Sequence, residues 1–258
     1  MTAAAQPAQP APTSDSAATP ETAAPETAVP ETAAPDAAVP DAAAKEAAAP
    51  QVSTLLLLVR HGETPTTGMV LPGRAPGLHL SERGRGQAER LAERLVGLPV
   101  SALYSSPLER ACETAEPTAA RTGLEVRRDA GLLECDFGDW TGAAIADLAA
   151  LPEWRTVQGS PSTFRFPSGE SFPEMQDRMV GALEALCAAH PGDVVVCFSH
   201  ADTIKAAVAH ALGTPLDLFQ RIVISPGSVS AVSFVDGQAS SVLMVNSHTE
   251  PLSGLRPQ

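Results

Sequence analysis

The chain has 258 residues and a formal net charge of −13, with 44% hydrophobic residues, a length that permits one or two domains. That acidity excludes a general nucleic-acid binder, which needs a basic stripe against phosphate backbones, but leaves room for a local basic pocket. The longest strongly apolar run, Leu55 to Val59, falls far short of the roughly 20 residues that span a bilayer, so no membrane partner is expected.

Composition divides the chain. Residues 1–50 contain no aromatic residue, nine prolines, and one lysine against seven acids, a net −6 that leaves −7 for the rest. From Pro20 to Pro40 a proline recurs every fifth residue. Such a segment cannot bury enough apolar surface to offset the entropy of ordering, so it reads as a disordered tail. Residues 51–258 are ample for one domain with a full core. Cys112, Cys135, Cys187 and Cys197 form no CxxC pair and no zinc-like spacing with histidine, so no metal is expected. They read as free thiols of a reducing compartment. No basic segment followed by an apolar one opens the chain, so the expected location is cytoplasmic.

Order is expected from about Ser53. Thr54 to Val59 suits a strand buried on both faces. Ser81 can cap a helix reaching about Leu98. Ala102 to Ser105 reads as a second strand, after which Ser106 is expected to cap a helix with Pro107 at its first position. A third short strand falls at Glu125 to Arg128. Ser171 and Glu174 form a capping box that opens a helix to about Ala189. Asp193 to Phe198 is another buried strand, and Asp202 to Leu212 is helical. Ser228–Val235 and Ser241–Val245 read as a hairpin across Asp236-Gly237 with a loop longer than two residues. Strands alternating with helices imply a three-layer α/β/α domain with a mostly parallel sheet.

In such sheets ligands bind beyond the carboxyl ends of the strands. Polar residues capable of chemistry follow three strand ends here. They are Arg60-His61-Gly62-Glu63-Thr64, then Ser105-Ser106-Pro107-Leu108-Glu109-Arg110, then Ser199-His200-Ala201-Asp202. A phosphate monoester carries about two negative charges near neutral pH. Guanidinium groups match its oxygens with paired N–H donors and keep their charge, which suits Arg60 and Arg110. A neutral, oriented imidazole is a competent nucleophile, a role for His61 at the strand end. Gly62 would let the backbone approach a ligand or make a tight turn. His200 can donate to phosphoryl oxygens. Hydrolysis also needs a proton donor for the leaving oxygen. Glu134 is the candidate if aromatic neighbours raise its pKa; Asp136 and Asp139 rival it on chemistry alone.

These motifs, R-H-G-E-T after a buried strand, S-S-P-L-E-R-A-x-x-T-A, L-x-E-x-D-F-G-D-W-x-G, and F-S-H before a helix, resemble the histidine phosphatase superfamily in order and placement. The resemblance covers roughly residues 53–247 and implies the phosphoglycerate-mutase-like fold. It implies that His61 becomes phosphorylated, that Arg60, Arg110 and His200 bind phosphate, and that Glu134 is the acid/base, with no metal or other cofactor. Relatives often carry asparagine where Thr67 stands, touching the transferred phosphoryl group; Thr67 retains one hydrogen-bond donor. The D-F-G-D-W-T-G stretch resembles the phosphatase branches and lacks the basic segment of true mutases. The expected activity is hydrolysis of a small phosphorylated substrate through phosphohistidine. A phosphomutase and a phospho-ligand binder without turnover are the alternatives. A homodimer is compatible with the sequence.

Other residues stay open or bland. Glu63 reads as solvated, and Thr114 as bonded to its own helix. His79, His190, His210 and His248 read as structural or exposed. Trp154, Phe164, Phe166 and Phe172 fit either a substrate-selecting lid, with Arg155 or Arg165 offered to an anionic group, or plain loop packing.

Overall fold

The computed structural model describes residues 52–249, so the expected tail at 1–50 lies outside the described residues. A six-stranded sheet runs β3 (Val126–Arg128), β2 (Val100–Ser105), β4 (Val194–Ser199), β1 (Ser53–Arg60), β5 (Val229–Val235), β6 (Gln238–Ser247). The first four are mutually parallel; β5 and β6 are antiparallel.

Side chains of a strand alternate between faces, and the apolar run of β1 feeds two cores. Leu56 and Leu58 pack with Met179 and Leu183 of α5 (Phe172–Ala189) and with Ile204 and Val208 of α6 (Ala201–Ala211). Leu57 and Val59 pack with Leu91 and Leu95 of α1 (Glu82–Leu95) and Ala115 of α2 (Glu109–Thr122). Helices thus cover both faces, the expected three layers, and each buried leucine contributes roughly 1.5–3 kcal/mol. A third, aromatic-rich cluster joins Phe137, Trp140, Phe164, Phe166 and Phe172 with short helices α3 (Ile145–Ala149) and α4 (Trp154–Gly159).

Four local expectations change. Helix α1 stops at Leu95 rather than Leu98, because Val96 is extended and Gly97 turns to φ +97°. Helix α2 begins at Glu109 behind an N-cap at Leu108, not behind Ser106, whose hydroxyl is engaged elsewhere. The β5–β6 turn is a tight two-residue one: Asp236 and Gly237 have φ +52° and +79°, the positive pair of a type I′ hairpin, so β6 starts at Gln238. Gly62 is needed for packing, since a Cβ there would lie 2.6 Å from the Gly84 carbonyl oxygen. A Cβ on Gly84 would in turn lie 2.0 Å from the Glu63 carbonyl oxygen. The start of α1 and the segment after β1 therefore touch backbone to backbone.

Ser81 caps α1 by accepting from Gly84 N–H at 3.0 Å, and Ser171 and Glu174 complete the capping box of α5. Among the described residues, no helix is long and apolar enough to cross a membrane.

Candidate active site

Strand register gathers the site. β1 and β4 are neighbours with Arg60 opposite Ser199, so His61 and His200 leave the sheet side by side. The His61 N–H donates to the Ser199 carbonyl at 3.0 Å, and the two rings have centroids 5.2 Å apart. β2 lies on the other side of β4, and the Ser106 N–H donates to the Phe198 carbonyl at 2.8 Å.

Two contacts fix the His61 tautomer. Nδ1 lies 2.7 Å from the Gly62 carbonyl and must carry a proton to bond it. Nε2 accepts from Arg110 Nε at 3.3 Å and must therefore present its lone pair. Burial, reinforced by the Arg60 and Arg110 charges, holds the His61 pKa well below its ordinary value. The ring is thus neutral and oriented, with its nucleophilic nitrogen against a guanidinium.

Arg110 is wholly buried. Its Nη2 donates to the Gly73 carbonyl at 2.8 Å, so neither Glu109 nor Glu113 holds it. Arg60 spends Nη1 on the Ile224 carbonyl at 2.6 Å. His200 Nε2 lies 2.8 Å from the Ser106 hydroxyl, which also accepts from Leu108 N–H at 3.4 Å. An imidazole that accepts the hydroxyl proton at Nε2 keeps its own proton on Nδ1. Burial, with the Arg110 charge next, lowers the His200 pKa well below its ordinary value. Arg60 Nε, Arg110 Nη1 and His200 Nδ1 remain buried with no hydrogen-bond partner among the described residues. Unsatisfied buried donors are costly, and three around one imidazole fit an anion.

Glu134 is 7% exposed, and its Oε1 accepts from the Cys135 N–H at 3.0 Å. Its pKa is raised to about 7, by burial first and the Asp202 carboxylate second. Burial raises it in the direction expected from the sequence, and the Asp202 charge is a second cause to which the sequence did not point. The rivals are placed elsewhere. Asp136 is turned to Arg74 and Gly138 N–H, and Asp139 accepts from the exposed Ser168 hydroxyl. Neither lines the cavity over the site, whereas Glu134 does.

That cavity, about 390 Å³, has Arg60, His61, Thr64, Thr67 and Glu134 at its polar end. Arg110 and His200 are wholly buried and absent from its lining. An entering phosphoryl group must displace the Arg110–His61 hydrogen bond. Thr67 Oγ1 accepts from Thr64 N–H at 2.8 Å and lies 3.0 Å from Thr64 Oγ1, at the cavity wall.

Several residues around the site have no role there in the sequence reading. Ser106, a helix cap by its sequence context, instead places its hydroxyl against His200 Nε2. Asp202 and Lys205, three apart on α6, both line the cavity and pair at 3.0 Å. Arg74 and Arg178 both donate to the Glu134 backbone carbonyl, at 2.8 and 3.3 Å, and both bind Glu170. Only the spacing of Asp202 and Lys205 just past His200 was a usable signal. The bland assignments hold for Glu63, paired with Arg83, and for Thr114, whose hydroxyl donates to the Arg110 carbonyl at 2.6 Å. Thr114 also accepts from Gly62 N–H at 3.0 Å, which ties α2 to the segment after β1. Phe164, Phe166 and Phe172 are packed, as the loop-packing reading had it, and Trp154, Phe166 and Phe172 also wall the cavity. Arg155 and Arg165 do not line it; Arg165 pairs with Glu174. Among the described residues no group of three His, Cys, Asp or Glu side chains is placed to hold a metal.

The profile of the histidine phosphatase superfamily (branch 1) matches residues 56–247. The chain belongs to that superfamily. It is 34% identical over 182 residues to phosphoserine phosphatase 1 of Hydrogenobacter thermophilus, an alignment covering 69% of this chain and 85% of that protein. Among solved structures, mycobacterial glucosyl-3-phosphoglycerate phosphatase is 31% identical with a TM-score of 0.64, covering 70% of this chain and 90% of its own. Bacillus stearothermophilus YhfR is 28% identical with a TM-score of 0.71, covering 76% and 98%. As a histidine phosphatase of the phosphatase type, this chain is a hydrolase.

Proposed function

We propose that the chain hydrolyses a small phosphate monoester through a phosphohistidine at His61. The supporting observation is the trio of buried, unpartnered donors, Arg60 Nε, Arg110 Nη1 and His200 Nδ1, around a neutral imidazole. Phosphoryl oxygens take up these donors and draw the Arg110 N–H off the His61 lone pair. His61 Nε2 attacks phosphorus as the P–O ester bond breaks, and the leaving oxygen takes the Glu134 proton. Water then attacks phosphorus, giving a proton to Glu134 as the P–N bond breaks and its electrons return to Nε2. The sum is ester plus water to alcohol plus inorganic phosphate. Fixed donors that follow the charge on the transferring group supply most of the stabilisation.

A mutase must also hold the turning intermediate by its remaining charge. Among the described residues lining the cavity, the cation beyond Arg60 is Lys205, and Asp202 already pairs with it. We also place the protein in a reducing, cytoplasmic compartment, since its four cysteines are free and three are buried.

The test is a rapid acid-free quench of enzyme turning over a phosphate ester labelled in the phosphoryl group. Label on His61, stable to base and released by acid, is expected. Phosphate release with no label on the chain at any quench time defeats the covalent route, label without phosphate release favours a mutase over a hydrolase, and neither label nor release favours a binder.

A further inference from the structure

The hydrolase reading, on which this inference rests, leaves the alcohol unspecified, and the wall of the cavity bears on it. We propose that the alcohol half of the substrate is an uncharged, apolar body, an aromatic or branched hydrocarbon, rather than a hydroxy acid, an amino acid or a sugar.

The cavity volume of about 390 Å³ lies near the lower end of the range for ligand pockets, about 300–1,000 Å³, which suits a small molecule. Most of its remaining lining is hydrocarbon, Leu71, Ile145, Trp154, Phe166, Phe172 and Ile222 among others, with Gln158, Gln220, Asp202 and Lys205 as further polar members. These walls are held in place. The Phe166 and Phe172 rings, each 1% exposed, pack edge to face at 5.2 Å, and Trp154 stacks on Trp140 at 6.3 Å. Val223, another lining residue, is 44% exposed, so the apolar lining extends to solvent.

Charge gives the complementary argument. The charged groups in the lining besides Arg60 and Glu134 are Asp202 and Lys205. Lys205 Nζ is 3.0 Å from Asp202 Oδ1 and 3.0 Å from Gln220 Oε1, so its charge is already matched. A substrate carboxylate would enter with no free counter-charge and with Asp202 against it. A sugar would bring a row of hydroxyls to walls that are mostly hydrocarbon, where Asp202, Lys205 and Gln220 are engaged with one another and Gln158 is the further amide, and unmet polar groups are costly to bury. A hydrocarbon loses nothing and gains its burial.

The test compares ester substrates of similar leaving-group acidity on the full chain, so that chemistry does not mask binding. Benzyl phosphate is set against O-phosphoserine, 3-phosphoglycerate and glucose 6-phosphate, with phosphate release giving kcat/KM. Burial of one aromatic ring sets the expected preference for benzyl phosphate on the order of 10- to 100-fold. Trp154→Ala should lower benzyl phosphate turnover about tenfold while O-phosphoserine stays within about twofold. Val223→Lys, at an exposed position that the fold tolerates, puts an unmatched ammonium in the lining and should shift the ratio toward 3-phosphoglycerate. Circular dichroism and the melting temperature show that each variant is folded. O-phosphoserine or 3-phosphoglycerate cleaved as well as benzyl phosphate overturns the proposal, as does a ratio unmoved in Val223→Lys. Should p-nitrophenyl phosphate itself go uncleaved by the native chain, the hydrolase reading falls and this one with it. Cleavage of that ester without the benzyl preference defeats this inference alone.

Discussion

The proposed phosphate cup and the chamber beside it are built by different means. The cup hangs from the ends of three neighbouring parallel strands, so backbone hydrogen bonds set its geometry: His61 N–H to Ser199, Ser106 N–H to Phe198. The chamber is made of side chains from short helices and connecting segments, Ile145, Trp154, Phe166 and Ile222 among them. Backbone pairing leaves little room to vary what the cup does. Side-chain packing, with no ladder of backbone hydrogen bonds to keep, leaves more room to vary what the chamber admits. The difference teaches that reaction and selectivity are separable in this molecule, and substitutions in each region should fail in different ways.

The largest effect belongs to the cup. His61→Ala should reduce turnover of phenyl phosphate by about 10⁴-fold or more with the melting temperature nearly unchanged, since loss of a nucleophile leaves only binding and electrostatic assistance. Near-native turnover in that variant would dissolve the distinction. Next is Glu134→Gln, at the boundary of the two regions. It should cost about 10²- to 10⁴-fold on alkyl esters. It should cost much less in the first step with p-nitrophenyl phosphate, whose leaving group needs no proton, so labelled enzyme accumulates. The native chain's phosphorylation by alkyl esters should also decline as pH rises through about 7, where the raised Glu134 carboxyl loses its proton. Stopped-flow rates across pH check this, and the decline should vanish in Glu134→Gln.

A smaller effect sharpens the boundary. Glu170 binds Arg74 and Arg178, which together hold the Glu134 carbonyl. Glu170→Ala should lower kcat about tenfold through misplacement, with KM little changed and the pH decline displaced. Equal loss on esters that need a proton and those that do not would assign Glu170 to stability alone. The smallest is Thr67→Val. One neutral hydrogen bond is worth about 0.5–1.5 kcal/mol, so a loss of about 2- to 12-fold in kcat/KM is expected.

The same division explains what could be read without coordinates. Arg60, His61 and His200 stand out in the sequence because each lies at the end of a short apolar run that reads as a buried strand, and Arg110 because it opens the helix after another, strand ends in such sheets being where ligands lie. Glu134 shares its stretch with Asp136 and Asp139, rivals on chemistry alone, and burial at the cavity wall is what distinguishes it from them. Ser106 was misread because a serine before proline satisfies the rules of a helix cap equally well; only tertiary pairing sends its hydroxyl to His200. The chamber was opaque for a related reason. Nothing in the spacing of Trp154, Phe164, Phe166 and Phe172 separates a ring that faces a ligand from one that faces another ring. The pairing of Asp202 with Lys205 sits on a helix, where it passes for an ordinary surface contact.

Adjacent strands that present Arg60 level with Ser199 mesh like the teeth of two gears. Substituting a residue within β4 alters one tooth and leaves the mesh intact. Adding or removing one there slips the whole train by a notch, and the imidazole at its end swings to the far side of the sheet. Lineages of this protein should therefore accept many swaps among the hydrocarbon residues of β1 and β4, and almost no change in the number of residues between the start of either strand and its histidine.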